Sequence, residues 1–165
     1  MASFTFRKAG LNDLDGVLTV QAVVFPAFQE AKATFAERLR LYSDGFFVVE
    51  EDGDIKGYLV SHPFHRPAPP PLDTLIGSIS PDCDAYYVHD LSVLPEIRGR
   101  GAAGAMIEAV TDLARNAGFT TMALIAVGGA DIFWRRFGFG PVSVQALEER
   151  LVIYGEGAVY MERPL

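Results

Sequence analysis

The sequence predicts a single mixed α/β domain built around one sheet. Three observations predict it. Runs of period-two alternation and runs of helical period follow one another in the order β-α-α-β-β-β-α-β-α-β-β. The chain has 165 residues, half of them apolar, which suits one core and ordinary folded composition. No internal repeat or interdomain linker divides it, so residues 1–165 read as one domain.

The first strand is predicted at Phe4–Ala9, where apolar and polar residues alternate. Leu11–Phe25 carries early acids and apolar residues at Leu14, Val17, Leu18 and Val24, and reads as a helix with Asn12 or Asp13 near its cap. Pro26 interrupts it, and Thr34–Tyr42 reads as a second short helix. Gly45–Phe64 holds two β-rich runs around "EDGD", a hairpin signal. Pro63 to Pro81 then holds six prolines and reads as a long connection, either a lid or a rigid surface segment. Ala85–Leu94 is the next strand. After a glycine turn, Ala103, Met106, Ile107, Val110, Leu113, Ala114 and Ala117 form one apolar helical stripe that ends at Gly118. Phe119–Val127 reads as a buried strand and Ala130–Phe139 as a short helix ending at Gly138. "LVIY" (Leu151–Tyr154) and "AVYMER" (Ala158–Arg163) read as the last two strands.

Composition narrows the function class. No apolar run reaches the ~18 residues of a membrane helix. "MASFTFRKAG" lacks the apolar stretch of a secretory signal. The single cysteine, Cys83, excludes an internal disulfide framework. These features point to a soluble, cytoplasmic protein with no membrane partner. The net charge of −7 and the lack of a basic face argue against a nucleic-acid partner. An acidic surface attracts cationic amines, and it also serves solubility alone.

The chemistry concentrates in "LSVLPEIRGRGAAGAM", Leu91–Met106. Gly99–Gly104 matches G-x-G-x-x-G, yet a dinucleotide site is not expected. "PEIR" separates the strand from the first glycine, and no acid lies about 20 residues on, where a ribose would need it. No Lys-Ser or Lys-Thr follows, which excludes a Walker A loop. What remains is a turn whose glycines let the backbone approach a ligand, a helix start with free N–H groups, and Arg98 and Arg100 beside it. That combination suits a phosphate or pyrophosphate.

"RGRGAA" (Arg98–Ala103) fits the Q/R-x-x-G-x-G/A signature, and residues 85–140 with "FWRRFGF" resemble the central region of the GNAT acetyltransferase superfamily. The resemblance implies a GNAT-type mixed sheet and an acyl-coenzyme A-binding core over 85–140. It implies that Arg98, Gly99, Arg100, Gly101, Ala102 and Ala103 grip the pyrophosphate of acetyl-coenzyme A. It also implies a bulged strand whose backbone at Leu91, Ser92 and Val93 holds the pantetheine arm and the thioester oxygen, where a fixed N–H stabilises the oxyanion. His89 resembles the position of a histidine base in arylalkylamine N-acetyltransferases, and a histidine suits a base working near neutral pH. A purely structural histidine is the alternative. By period two, Tyr87 shares its face and Asp90 points to the other.

Two positions depart from the family. Trp134 stands where a tyrosine often serves as general acid, and an indole N–H is a poor acid. Val127 stands where an asparagine often helps hold the cofactor. Arg135 and Arg136 read either as phosphate contacts or as a solvated face. His62 and His65 lack the further ligands a metal needs, so no metal is expected. Cys83 between Asp82 and Asp84 is not expected to be a nucleophile. The two aspartates read as a solvated loop or as a lure for a cation. The expected activity is direct transfer of acetyl from acetyl-coenzyme A to a primary amine of a small molecule. A protein N-terminus or lysine as acceptor, and a non-catalytic coenzyme A sensor, are the alternatives. The resemblance also allows a homodimer.

Overall fold

In the computed structural model, which describes residues 3–66 and 68–165, the first alternating run becomes β1 (Thr5–Lys8). Met1 and Ala2, part of the stretch read for a leader, and Pro67 of the proline-rich connection lie outside the described residues. The predicted first helix splits into a single 3-10 turn (Leu11–Asp13) and α1 (Leu14–Val24). Asp13 stands at the junction. Its carboxylate accepts the Gly10 N–H at 2.7 Å and both Nη atoms of Arg7 at 2.8 and 2.9 Å, which ties the helix start to β1. Then come α2 (Lys32–Leu41), β2 (Phe46–Glu51) and β3 (Asp54–Phe64). The turn between β2 and β3 places Asp52 and Gly53 at positive φ, as an Asp-Gly hairpin requires.

The remaining elements are β4 (Ala85–Val93), α3 (Ala102–Asn116), β5 (Thr121–Ala126), α4 (Asp131–Arg135), β6 (Gly140–Pro141), α5 (Glu148–Val152) and β7 (Val159–Pro164). The seven strands form one sheet in the order β1-β2-β3-β4-β5-β7-β6. β4 and β5 pair parallel, and every other described pair is antiparallel. Helix α3 supplies the crossover between the parallel strands.

Each face of the sheet has its own apolar layer. Met106, Ile107, Val110 and Ala114 of α3 pack on Val49, Leu59, Tyr86, Val88, Met122 and Leu124. The helical stripe is shifted from the predicted one: Ala102 and Thr111 are buried and Ala117 is exposed. Burial of Thr111 is tolerated because its hydroxyl donates to the Ile107 carbonyl at 2.7 Å. The helix closes as predicted at Gly118, with Gly118 N–H on Arg115 O at 2.9 Å and Phe119 N–H on Ala114 O at 3.0 Å. On the other face, Leu14, Val17 and Val20 of α1 and Phe35 and Leu39 of α2 cover Phe46, Val48, Tyr58 and Val60.

One strand prediction fails. Leu151–Tyr154 is not a strand: "EERLV" forms α5, and the chain turns through Tyr154 to Gly155 at φ 90°. The place beside β5 is already filled, because β5 pairs directly with β7 and β7's other edge takes Gly140–Pro141.

Candidate functional site

The parallel pairing of β4 with β5 covers only Tyr86–Val88 against Met122–Leu124. Beyond Val88 the two strands separate, and a cleft of about 150 Å³ opens between them. Leu91, Ser92 and Val93 pair with Leu59, Tyr58 and Gly57 of β3, and no strand follows on their other edge. That edge can hold an extended arm by backbone hydrogen bonds.

A register shift marks the point of separation. Val60 pairs with Asp90 and Ser61 with Val88, so His89 is the extra residue of a bulge. The shift therefore stands at His89 itself and not at Leu91–Val93. It also overturns the expectation that Asp90 faces away from His89. The inserted residue restarts the alternation, and Asp90 turns to the same cleft. There its Oδ2 accepts the Tyr58 hydroxyl at 2.5 Å and its Oδ1 accepts the Ser92 hydroxyl at 3.3 Å. Burial pushes the Asp90 carboxyl up to about 6, against the Tyr58 hydrogen bond that pulls it down.

His89 is tied to Glu30 from the loop between α1 and α2. Nε2 lies 2.7 Å from Glu30 Oε1, and both side chains are almost wholly buried. A carboxylate only accepts, so Nε2 carries the proton. Nδ1 is buried without a partner among the described residues. Glu30 is itself fixed. Its Oε2 accepts Asp73 N–H at 2.8 Å, and its backbone N–H and C=O bond the Gln21 side chain at 2.7 and 3.0 Å. Burial would raise the Glu30 carboxyl, but the His89 hydrogen bond, the His89 charge when the ring is protonated, the Asp73 amide and the Arg38 charge together outweigh it and hold the group below its ordinary value.

The same network fastens the proline-rich connection. Asp73 accepts Ala31 N–H and the Thr34 hydroxyl at 2.7 and 2.8 Å. Glu37 accepts Ile76 N–H and Gly77 N–H at 2.7 and 2.9 Å, and Arg38 donates to Thr74 O at 3.0 Å. Of the two readings of this segment, the bonds favour the fixed one.

The glycine turn follows the C-terminal end of β4. Ile97, fully buried, anchors a 3-10 turn at Pro95–Ile97. Gly99 and Gly101 then adopt φ 77° and 88°, a region costly for other residues, with open space where a Cβ would stand. Among the described residues, the amides of Gly99, Gly101, Ala102 and Ala103 have no acceptor. They precede a fifteen-residue helix, so its partial positive charge adds to theirs. These free donors suit a pyrophosphate. The two arginines differ. Arg98 is exposed, with Nε on Val93 O at 3.1 Å. Arg100 is turned back to pair with Glu51 and lies 5.8 Å from the Phe4 ring centroid.

Trp134 and Val127 both line the cleft, at the positions where the family often has tyrosine and asparagine. Trp134 packs edge-on to Phe133 and Phe139, with centroids 5.2 and 5.4 Å away. A tyrosine does reach the cleft from elsewhere. Tyr154 lines it, and burial, with the charge of Glu30, pushes its phenol up to about 12. Arg135 pairs with Asp131 at 3.6 Å, and Arg136 stacks on Phe133 at 5.3 Å. His62 is buried with Nδ1 on Pro63 O at 2.8 Å, and burial drives it down to about 3. His65 is exposed. Burial, then Asp84 and Asp82, hold the Cys83 thiol up. Neither aspartate lines the cleft.

The sequence reading missed Glu30, whose partner is 59 residues away, and the inward turn of Asp90. Local pattern carries no signal for either. It also missed Phe25, Phe28, Leu72 and Tyr154, which wall the cleft from three separate segments.

Comparison with solved structures supports the fold. The loading GNATL domain of CurA from Lyngbya majuscula superposes with TM-score 0.80 at 11% identity, covering 98% of both chains. The GNAT-like decarboxylase GphF, in complex with isobutyryl-CoA, gives 0.78 at 18% identity, over 97% of this chain and 98% of that one. Ard1 from Thermoplasma volcanium gives 0.74 at 17% identity, over 98% and 97%. No curated protein sequence matches the chain. The family model for the acetyltransferase (GNAT) family matches residues 18–139, which takes in the second half of α1, the bulged β4, the glycine turn, α3 and α4. With that match across most of its length and with this sheet, the chain belongs to the GNAT acetyltransferase family.

Proposed function

We propose that the protein transfers an acetyl group from acetyl-coenzyme A directly to a primary amine of a small molecule. The observation that carries this reading is the succession of three features along β4 and the turn after it: the Glu30–His89 pair in the cleft, the edge of β4 left unpaired beside it, and the free amides of Gly99–Ala103 that follow the strand. Acetyl-coenzyme A supplies the activated acyl group. The turn residues Gly99, Arg100, Gly101, Ala102 and Ala103 hold its pyrophosphate, and Arg98 adds a free positive charge. The backbone of Leu91, Ser92 and Val93 holds the arm and offers an N–H to the thioester oxygen. Two reactants fixed side by side need no covalent enzyme intermediate, and positioning supplies much of the rate.

His89 takes the proton that the amine loses. Glu30 fixes the proton on Nε2, which leaves the unpartnered Nδ1 lone pair as the base. The leaving sulfur must gain a proton or a hydrogen bond. Trp134 offers only a weak donor, and the Tyr154 phenol, kept protonated in the cleft, is the better one.

The test is a thiol-release assay with acetyl-coenzyme A and a pool of primary amines, with mass spectrometry of the products. Amine-dependent thiol release with a product 42 mass units heavier (roughly, one acetyl for one hydrogen) is the expected result. Tight cofactor binding with no acetylated amine would refute the transfer reading.

A further inference from the structure

We propose that the acceptor is a primary amine carried on an apolar, ring-sized body that bears no carboxylate. This rests on the acyl-transfer reading above and adds the chemistry of the acceptor. Part of the lining is apolar and aromatic: Phe25 and Phe28 from the loop after α1, Leu72 from the connection, and the ring of Tyr154 from the segment after α5. The Phe28 and Tyr154 rings lie 6.3 Å apart at 42°, a tilted pair. The cleft holds about 150 Å³. A cavity of about that volume accommodates one benzene molecule, and the thioester shares this one, so the body beside the amine is no larger than a single ring.

The charges of the lining are of one sign. Glu30 and Asp90 are carboxylates, and no lysine or arginine stands among the described lining residues. Arg38 is the buried cation nearest in the network. It does not line the cleft, and its Nη atoms are committed to Glu37 at 2.7 Å and to Thr74 O at 3.0 Å. An ammonium arriving here meets two carboxylates, which favour it. A substrate carboxylate would be buried against two like charges with no cation to answer it. A second ammonium at the far end of the substrate would sit against Phe25, Phe28 and Leu72 without a counter-ion. The wall is fixed rather than adaptable. Leu72 precedes Asp73, whose amide and carboxylate are both bonded, and Glu30 is held at side chain and backbone.

The experiment titrates the coenzyme A-loaded protein with 2-phenylethylamine, phenylalanine and putrescine by calorimetry, and repeats the three in the thiol-release assay. The aryl amine should bind at least about tenfold tighter than either rival, a difference of about 1.4 kcal/mol. Phe28→Ala should weaken it about fivefold or more with coenzyme A affinity unchanged. Equal binding of phenylalanine or putrescine, no binding of 2-phenylethylamine, or an unaltered affinity in Phe28→Ala would overturn the proposal. The wild-type comparison stands whether or not the variant folds. Tight, selective binding without thiol release supports this acceptor assignment and removes the acetyl-transfer reading instead.

Discussion

Glu30→Gln removes a charge and almost nothing else. The carboxylate accepts two buried bonds, from His89 Nε2–H at 2.7 Å and from Asp73 N–H at 2.8 Å. Glutamine has one carbonyl oxygen and can keep only one of them. The Asp73 amide is fixed in the backbone, so the oxygen stays there and the NH₂ group faces His89. The imidazole must then accept at Nε2 and carry its proton on Nδ1, which blocks the nitrogen proposed as base. A hydrogen bond to a charged group contributes about 1.5–3 kcal/mol and a neutral one about 1, so the net cost is about 1–2 kcal/mol. In a chain of this length that lowers Tm by about 2–8 °C. The loss in rate is larger, because a positioned base contributes a factor of about 10²–10⁴. The stability cost also depends on pH in a definite direction. The folded Glu30 carboxyl is held below its ordinary 4.5, so its contribution is present above 4.5 and disappears as pH falls toward the depressed value. The gap in Tm between wild type and Glu30→Gln should therefore be full at pH 7 and narrow steadily as pH falls below 4.5. Calorimetric melts from pH 3 to 8, with the pH–rate profile and acetyl-coenzyme A affinity, check all three expectations. A stability gap independent of pH, or a wild-type rate profile in a merely less stable protein, would refute the tautomer argument.

Two further substitutions probe the other charges. Arg98→Ala should weaken acetyl-coenzyme A binding several-fold at low salt and much less at high salt, because the guanidinium is exposed and screened. Arg100→Ala should cost less affinity, since Arg100 is already paired with Glu51; equal losses measured by calorimetry would reverse that assignment. Asp90→Asn should stabilise the protein at pH 8. The folded carboxyl titrates at about 6 against an ordinary 3.8, so the folded state favours the protonated form, and that stability is complete below 3.8 and lost as pH rises through 6. The amide still accepts from Tyr58, so a gain of about 1–3 kcal/mol is expected at pH 8 and none near pH 3.5. A lower Tm than wild type at pH 8 contradicts the burial argument.

What could be read from the sequence was whatever chemistry is local. The hairpin at Asp52-Gly53, the cap at Gly118 and the glycine turn before α3 each depend on residues within one turn, and each stands where the pattern places it. Contacts between distant segments left no such mark. Glu30 reaches His89 across 59 residues, and nothing around "FPAFQE" distinguishes that acid from a solvated one. The bulge at His89 is the sharper case. Period two assigns faces correctly up to Val88, but one inserted residue reverses the rule for Asp90. Leu151–Tyr154 fails for a related reason, since strand composition needs a strand to pair with, and β5 and β7 pair with each other.

The inserted residue also sets the chemical problem the cleft must solve. By turning Asp90 inward beside the Glu30–His89 pair, the bulge puts two carboxylates in an apolar pocket. Their charge draws an ammonium in and relieves the cost of burying Asp90. The same charge favours the protonated amine, which cannot attack a carbonyl. Attraction and reactivity therefore pull in opposite directions, and a carboxylate alone would give tight binding and slow transfer. A neutral imidazole resolves the conflict, because it takes a proton without adding to the negative field. Glu30 then has a role beyond attraction: it holds the imidazole proton on Nε2, so that Nδ1 is the nitrogen left to accept. The arrangement makes sense only with both residues on one face, which the bulge brings about and regular alternation would have prevented.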